Sequence, residues 1–372
     1  MDPILRETDI NDKNQVMALH ALFLVQGNTL LATSIKSDTV KRYLQAAAYL
    51  STLANQTDPR LDIYGKNAAP VQKVLQEQKR WEEMPKRREP VTVEMINHMW
   101  ESCKNLPMDS LEYALFDWNV LGRYYGFRLS EWAQNKENCK NFPLQAVDGT
   151  PLAFIFQDFT FATKGRKTLQ QNFSKKLSKA KVETVTVRWR YQKNLDNGQE
   201  IMQTRNREDP KMCPVLAAWR IRERARRLTS SSEETLAKFR NNKGKVEYVT
   251  NIHIANHLQQ AAAAAYHITD KRALSRWTAH SIRVGACVGL QEAEKDGPYI
   301  QMRLRWRSLA FMDYLRNTIT LAKQHVQSFT NAQMHSSSAR EQRVSFFSLM
   351  FHLVARANAE HPLVQREVAQ CT

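Results

Sequence analysis

The sequence predicts a mainly α-helical protein with a small antiparallel β-sheet or hairpin, divided into a helical N-terminal domain and an α+β second domain. Apolar residues recur at the spacing of one helix face over most of the chain. Two runs rich in β-branched and aromatic residues, Ala153–Phe161 and Val182–Tyr191, interrupt this pattern and predict strands. A basic segment between Pro85 and Pro90 predicts an exposed, non-helical linker, because proline fixes φ and lacks a backbone N–H. We therefore expect a domain boundary at residue 88.

In the N-terminal domain, residues 1–88, two helices are predicted. Ser37 and Asp38 are candidate caps for a helix that continues to about Asn55, and a second helix covers Ala69 to Glu83. Basic residues lie off the apolar face of the first helix. Small amphipathic helices with basic outer faces fit a clamp on DNA, and they equally fit a helical bundle with solvated lysines.

The second domain begins with two predicted helices, Thr92–Cys103 and Asp109–Tyr124. After the two strand-like runs, the segment Asn194–Gly198 is a turn signal, and Gln199–Thr204 can return as the partner strand. From Pro214 onward the pattern is again mostly helical. The prediction is a hairpin inserted between helices.

Composition indicates a polyanionic partner. The chain has 54 Lys+Arg against 37 Asp+Glu, a net charge of +17, and the first 88 residues hold only +3 of it. This balance excludes an acidic disordered activator and favours binding to double-stranded DNA. The five cysteines are scattered without metal-ligand spacing, so neither a disulfide framework, a metal nor a cofactor is expected. The longest apolar run is far shorter than the roughly 20 residues of a membrane span, and no signal peptide is visible. We expect an intracellular protein without a membrane partner.

Four short segments carry candidate chemistry. They are Gly126-Phe-Arg-Leu-Ser-Glu131, the hairpin with Lys193, His280-Ser-Ile-Arg283, and Leu304-Arg-Trp-Arg-Ser308 followed by Tyr314. In this order they resemble the active-site boxes of the tyrosine recombinase (phage integrase) superfamily. The last box and the Tyr-Leu-Arg-Asn after it look most like the eukaryotic Crypton-type recombinases. The resemblance covers about residues 90–320, so residues 89–330 are expected to form the catalytic domain.

The resemblance implies a role for each matching residue. A tyrosine attacks the scissile phosphate and keeps the bond energy as a 3′-phosphotyrosine. Two arginine forks neutralise the phosphoryl oxygens, and a lysine on the hairpin protonates the leaving 5′-oxygen. The remaining members are a histidine beside the second arginine and a tryptophan that stabilises the phosphate through its indole N–H. The predicted catalytic residues are Arg128, Lys193, His280, Arg283, Trp306 and Tyr314.

Several of these residues also have ordinary interpretations. Arg128 could lie at a helix start with Glu131 as a cap or surface carboxylate, although Glu131 could equally hold Arg128 in place. Trp306 could be a packing residue and Tyr314 an ordinary helical tyrosine. The spacing from Trp306 to Tyr314 is eight positions, one fewer than expected for bacterial members.

The general acid has two candidates. Lys193 is preferred because an alternating strand-like run precedes it, whereas Lys164, in Thr163-Lys-Gly-Arg-Lys167, has no clear return strand.

Basic residues around these boxes are predicted to contact the DNA backbone rather than only water. The cluster at residues 220–227 is interpreted in the same way. The predicted DNA-binding residues are Lys164, Arg166, Lys167, Arg188, Arg190, Arg305 and Arg307.

The function that the sequence predicts is site-specific DNA recombination or integration, as in transposition, by a homo-oligomer that forms a tetramer in the synaptic complex. The alternatives are a type IB topoisomerase-like activity and a non-catalytic DNA-binding protein derived from such an enzyme. Without a cofactor or metal, cleavage should proceed in EDTA. The protein should lie with DNA inside the cell, and in the nucleus if the host is a eukaryote. In the tail, residues 331–372, the apolar segment Val344–Ala355 should form a helix that either passes to a neighbouring protomer or packs on its own domain.

Overall fold

The computed structural model describes residues 9–27, 35–83, 87–133, 145–146, 148–165, 167–169, 172–193, 195–229, 231–316 and 322–328. The chain forms two compact units, Met1–Lys86 and Arg87–Thr372. The fold is mainly helical with small antiparallel sheets, which confirms the predicted class. Among the described residues, no helix has the length and apolar character to cross a membrane. The predicted helix at Val344–Ala355 lies outside the described residues.

Three helices form the described part of the first unit: α1 (Ile10–Val25), α2 (Ser37–Leu53) and α3 (Ala69–Trp81). They pack through a small apolar core that includes Met17, Leu44 and Leu75. The α2 and α3 helices were predicted, but α1 was not. Its buried face contains Lys13 and Asn14, while several of its large apolar side chains are exposed, so its sequence lacks a clear apolar stripe.

The long helices of the second unit follow the predicted pattern. Thr92 caps α4 and Ser110 caps α5 through their side-chain oxygens, which is why these helices begin where they do. The helices are α4 (Val93–Cys103), α5 (Leu111–Tyr125), α6 (Leu129–Trp132), α7 (Pro214–Leu228), α8 (Asn251–Tyr266), α9 (Lys271–Leu274), α10 (His280–Glu292) and α11 (Gly297–Arg303). A further helix spans 322–328.

A three-stranded antiparallel sheet carries the predicted hairpin. Its strands, in spatial order, are β1 (Phe159–Ala162), β2 (Thr184–Arg188) and β3 (Glu200–Thr204). The β1 strand is shorter than predicted because Asp158 accepts a hydrogen bond from the Ile155 N–H and closes a 3₁₀ turn at Phe156–Asp158.

A second, two-stranded sheet was not predicted. It pairs β4 (Lys238–Arg240) with β5 (Val246–Tyr248) around the segment that the sequence indicated only as a loop, 241–245. Strands of three residues leave too little alternation to be recognised.

Three of the five arginines in the basic cluster on α7, namely Arg220, Arg222 and Arg224, are buried, which corrects their interpretation as DNA contacts, whereas Arg227 is exposed. Asp117 of α5 is fully buried and accepts hydrogen bonds from Arg220 at 2.6 Å and from Arg224 at 2.8 Å. Arg222 is also buried and pairs with its neighbour Glu223. Arg220 and Arg224 thus hold α5 against α7, and the three buried guanidiniums are not available to a phosphate.

Replacing Asp117 with alanine is therefore expected to destabilise the protein strongly. Two buried guanidiniums would lose their carboxylate, a change that typically costs about 3–5 kcal/mol. Urea unfolding of the full chain measures this. The matched control is Glu112→Ala on the exposed side of the same helix, expected to cost at most about 1 kcal/mol. Equal stability of the two variants would contradict this role of Asp117.

Candidate active site

The six predicted catalytic residues line one cavity of about 840 Å³ in the second unit. Arg128 lies at the start of α6, while His280 and Arg283 belong to the first turn of α10. The other three lie in the β2–β3 loop and in the segment after α11. The fold thus brings together all of the predicted set, namely Arg128, Lys193, His280, Arg283, Trp306 and Tyr314.

Arg283 is the buried cation of the cavity. Its guanidinium donates to the Gly126 carbonyl at 2.5 Å and to the Leu304 carbonyl at 3.2 Å. It lies 4.0 Å from the centre of the Trp306 ring. Burial lowers the pKa of Arg283 to about 10, with further lowering by the positive charges of Arg128 and Arg305. The group remains cationic at neutral pH, and an anion in the cavity would relieve the cost of burying it.

Gly126 permits the chain reversal that brings Arg128 to the cavity. It ends α5 with φ of 58°, in the left-handed region that favours glycine. A Cβ at this position would come within 3.0 Å of the Leu304 side chain.

Glu131 holds Arg128, as one of the two sequence interpretations proposed. Its Oε1 accepts a hydrogen bond from the Arg128 guanidinium at 3.1 Å, and its Oε2 accepts from the Arg128 backbone N–H at 3.0 Å. Glu131 therefore caps α6 and also orients the arginine. The carboxylate is buried, and Oε2 accepts further bonds from Trp189 at 3.1 Å and from Arg305 at 3.0 Å.

Tyr314 ends a 3₁₀ helix, Leu309–Tyr314, and its ring lies against two other members of the site. The ring centres are 5.2 Å apart for His280 and Tyr314, and 5.1 Å apart for Trp306 and Tyr314. Burial raises the pKa of the Tyr314 phenol, so the hydroxyl is protonated at neutral pH. Burial, Arg283 and Arg88 lower the pKa of His280, which is therefore neutral and able to accept a proton.

Trp306 contacts the site through its ring, and the role of its indole N–H in stabilising the phosphate stays a prediction. The ring covers the Arg283 guanidinium, a cation–π contact. The indole Nε1 is buried. Burial raises the pKa of the neighbouring Cys287 thiol to about 11, although the charge of Arg283 lowers it in part.

The two candidate lysines lie at opposite ends of the sheet. Lys193 lies in the loop between β2, which ends at Arg188, and β3, and it is exposed and lines the cavity. Lys164 follows β1, whose last residue, Ala162, pairs with the first residue of β2. Lys164 is exposed and is not among the residues that line the cavity.

Two of the predicted DNA-binding arginines are internal, which corrects their assignment. Arg190 donates to both carboxylate oxygens of Asp158 at 2.9 Å, so it ties the hairpin to the segment before β1. Arg305 is only 4% exposed and pairs with Glu131. Each guanidinium also lies over an aromatic ring, that of Tyr191 for Arg190 and that of Trp189 for Arg305.

The other predicted DNA-binding residues are distributed differently. Arg307 lines the cavity, is exposed, and pairs with Asp196 of the hairpin tip. Lys164, Lys167 and Arg188 are exposed and available to a phosphate backbone. Arg166 lies outside the described residues.

Four polar residues of the cavity were not singled out as site residues from the sequence: Arg88, Asn251, Asn256 and Thr278. Arg88 belongs to the basic linker, whose charge was the available signal. The two asparagines belong to α8, and no motif marks them. Among the described residues, no cluster of His, Cys, Asp or Glu could hold a metal ion.

No protein-family model and no curated protein sequence matches the chain. Solved structures with a similar chain path include the Tn1549 transposon integrase in complex with transposon right end DNA, at 12% identity and a TM-score of 0.44, covering 88% of this chain and 87% of that one. The XerH site-specific recombinase bound to palindromic difH substrate has 15% identity and a TM-score of 0.41, with coverage of 88% and 72%. The XerA recombinase has 12% identity and a TM-score of 0.35, with coverage of 86% and 99%.

Proposed function

We propose that the protein is a tyrosine-type site-specific DNA recombinase or integrase, similar to the Crypton-type enzymes, that works through a 3′-phosphotyrosine intermediate. One observation carries the proposal. Six residues chosen from sequence motifs that are far apart along the chain all line one cavity. They supply two guanidiniums, a phenol, a neutral imidazole and an ammonium, which are the groups that metal-free phosphodiester cleavage requires.

Arg128 and Arg283 bind the scissile phosphate. Their planar forks donate to the non-bridging oxygens, where negative charge increases in the transition state. Glu131 fixes Arg128, while the Gly126 carbonyl and the Trp306 ring fix Arg283. Because these contacts exist before DNA binds, the clamp is preorganised.

Tyr314 is the nucleophile. Its oxygen forms a bond to phosphorus while the bond from phosphorus to the 5′-oxygen breaks. His280, neutral and beside the Tyr314 ring, accepts the phenolic proton. Lys193 gives a proton to the leaving oxygen. Rejoining reverses these transfers, so no metal is needed and cleavage proceeds in EDTA.

Recognition of DNA uses surfaces outside the cavity. The second unit carries most of the +17 charge, and Lys164, Lys167 and Arg188 are exposed beside the sheet. We assign the N-terminal unit to a helical clamp on the duplex, and recombination to a tetramer of this chain. A topoisomerase would act on one duplex of any sequence, so dependence on a defined site and on more than one protomer distinguishes the two activities.

Lys193→Ala is expected to be severely defective in cleavage of normal DNA, since general-acid catalysis typically contributes about 10²–10⁴-fold. A substrate with a 5′-bridging phosphorothiolate leaves as a thiolate and needs no proton, so this variant should cleave it at nearly the wild-type rate. Single-turnover cleavage on the two substrates measures the difference. The DNA that flanks the gene supplies the target sequence.

Lys164→Ala is the matched control for this test. It should show only weaker, salt-sensitive DNA binding, as expected for a backbone contact. Sulfur rescue of Lys164→Ala in place of Lys193→Ala would mean that the wrong lysine has been assigned. Rescue of neither variant would place the acid elsewhere, with His280 next to be tested.

A further inference from the structure

Arg305 is a buried cation that is not among the residues that line the cavity. Its hydrogen bonds connect segments that carry two residues of the cavity. Its Nη2 donates to Glu131 Oε2 at 3.0 Å and its Nη1 to the Tyr125 carbonyl at 2.7 Å. The guanidinium lies 3.7 Å from the centre of the Trp189 ring. A charge placed this deeply is retained only where several partners compensate for its lost hydration.

The first connection leads to the phosphate clamp. Glu131 Oε2 accepts hydrogen bonds from the Arg305 guanidinium and from the Arg128 backbone N–H, and Oε1 accepts one from the Arg128 guanidinium. The Glu131 carboxylate therefore bonds the buried Arg305 and, at the same time, Arg128, which lines the cavity. Without Arg305, the buried Glu131 would lose one of its two cationic partners. Its side chain would then be held less firmly in the rotamer that positions Arg128.

The second connection leads to the hairpin. Arg305 Nε donates to Gln192 Oε1 at 3.3 Å. Gln192 directly precedes Lys193, and its amide Nε2 donates to the Asp196 carbonyl at 2.5 Å. The Gln192 backbone N–H donates to Asn197 Oδ1 at 2.8 Å. Gln192 therefore closes the hairpin tip on itself, and Arg305 ties that closed tip to Glu131.

The backbone at Arg305 is also unusual. It has φ of 58°, a conformation that glycine adopts freely and that other residues adopt at a cost. Arg305 adopts this conformation despite its cost, and its buried guanidinium makes hydrogen bonds to Glu131, Tyr125 and Gln192. This contrast allows the turn and the guanidinium to be tested separately.

We propose that Arg305 is a positioning residue that holds Arg128, through Glu131, and the Lys193 hairpin, through Gln192, in one arrangement around the scissile phosphate. This inference rests on the proposed function. Arg305 never touches DNA in this account. It acts on the rate of cleavage and not on affinity, because both ends of its network reach groups that work in the transition state.

The test compares Arg305→Met and Arg305→Gly with wild type in single-turnover cleavage of nicked target duplex. Each variant should cleave normal DNA about 100-fold more slowly, the loss typical of a small misplacement of catalytic groups. The affinity for the same DNA should be unchanged. On the 5′-bridging phosphorothiolate the loss should shrink to about 10-fold, because misplacement of Lys193 no longer matters while that of Arg128 still does.

Two further variants make the result specific. Arg305→Lys keeps the charge and should recover cleavage only in part, since one ammonium lacks the planar fork that reaches Glu131, Tyr125 and Gln192 together. Thermal unfolding reports whether the Met and Gly variants fold. If they do not, the cleavage rate of Arg305→Lys tests the inference instead. Arg303→Met is the matched control, because Arg303 is an arginine close in sequence that bonds the Met202 carbonyl outside the cavity, and it should cleave at the wild-type rate.

The outcomes are distinct. A folded Arg305→Gly that cleaves both substrates at the wild-type rate would show that only the backbone turn matters and would overturn the inference. An equal loss on the oxygen and sulfur substrates would remove the link to the hairpin and also overturn it. A wild-type protein that cleaves neither substrate would instead overturn the proposed function, and this role with it.

Discussion

Tyr314→Phe is expected to abolish the covalent protein–DNA adduct and to leave DNA affinity unchanged. The substitution removes one hydroxyl oxygen, which is the atom that attacks phosphorus, and keeps the ring that packs against His280 and Trp306. Denaturing gel electrophoresis of protein trapped on nicked target DNA measures the adduct, and a binding titration measures affinity.

Tyr299→Phe is the matched control. Tyr299 lies on α11, partly exposed and outside the cavity, so its variant should form the adduct at the wild-type level. Adduct formation by Tyr314→Phe, or its loss in Tyr299→Phe alone, would contradict the assignment of the nucleophile.

Arg283→Ala is expected to slow cleavage by about 10²–10³-fold or more, the usual loss when one charge-stabilising donor is removed from a transition state. Arg283→Lys should recover little, because a single ammonium nitrogen lacks the planar fork whose two terminal nitrogens separately reach the Gly126 and Leu304 carbonyls. Single-turnover rates at saturating DNA separate this loss from any change in binding.

Arg272→Ala on α9 is the control for Arg283. Arg272 is exposed and lies outside the cavity, so its loss should change only the salt dependence of binding, if anything. Thermal unfolding of Arg283→Ala checks that the buried α10 remains in place. Cleavage near the wild-type rate by a folded Arg283→Ala would remove the second half of the phosphate clamp.

Most of the helices could be predicted from the sequence because their signals are local. The caps at Thr92 and Ser110 and the apolar spacing of α2 and α3 all lie within a few turns of the residues they determine. The α1 helix is capped by Asp9 but lacks a clear apolar stripe, and the strands β4 and β5 are too short to show alternation. Their stability comes from packing, which periodicity does not show.

The basic residues show the main limit of the sequence. Five arginines of α7 look like a DNA-binding face until Asp117, 103 residues before Arg220, is seen to pair with two of them. Arg305 was misassigned for the same reason, since its partner Glu131 is 174 residues away. Charge counts predict the partner of the protein, whereas the partner of a single side chain depends on tertiary contacts.

The candidate site was easier to predict than the charges around it. Its residues belong to short motifs whose order along the chain is itself a signal, and the structure brings them to one cavity.

The central claim is that Tyr314 becomes covalently joined to a 3′-phosphate of DNA. The most direct measurement traps wild-type protein on nicked target duplex taken from the DNA that flanks the gene, in EDTA, then digests the adduct and locates the attached nucleotide by mass spectrometry. We expect a single modified peptide, with the nucleotide on Tyr314. A nucleotide on any other residue, or a stable complex with DNA from which no covalent adduct can be recovered, would contradict it.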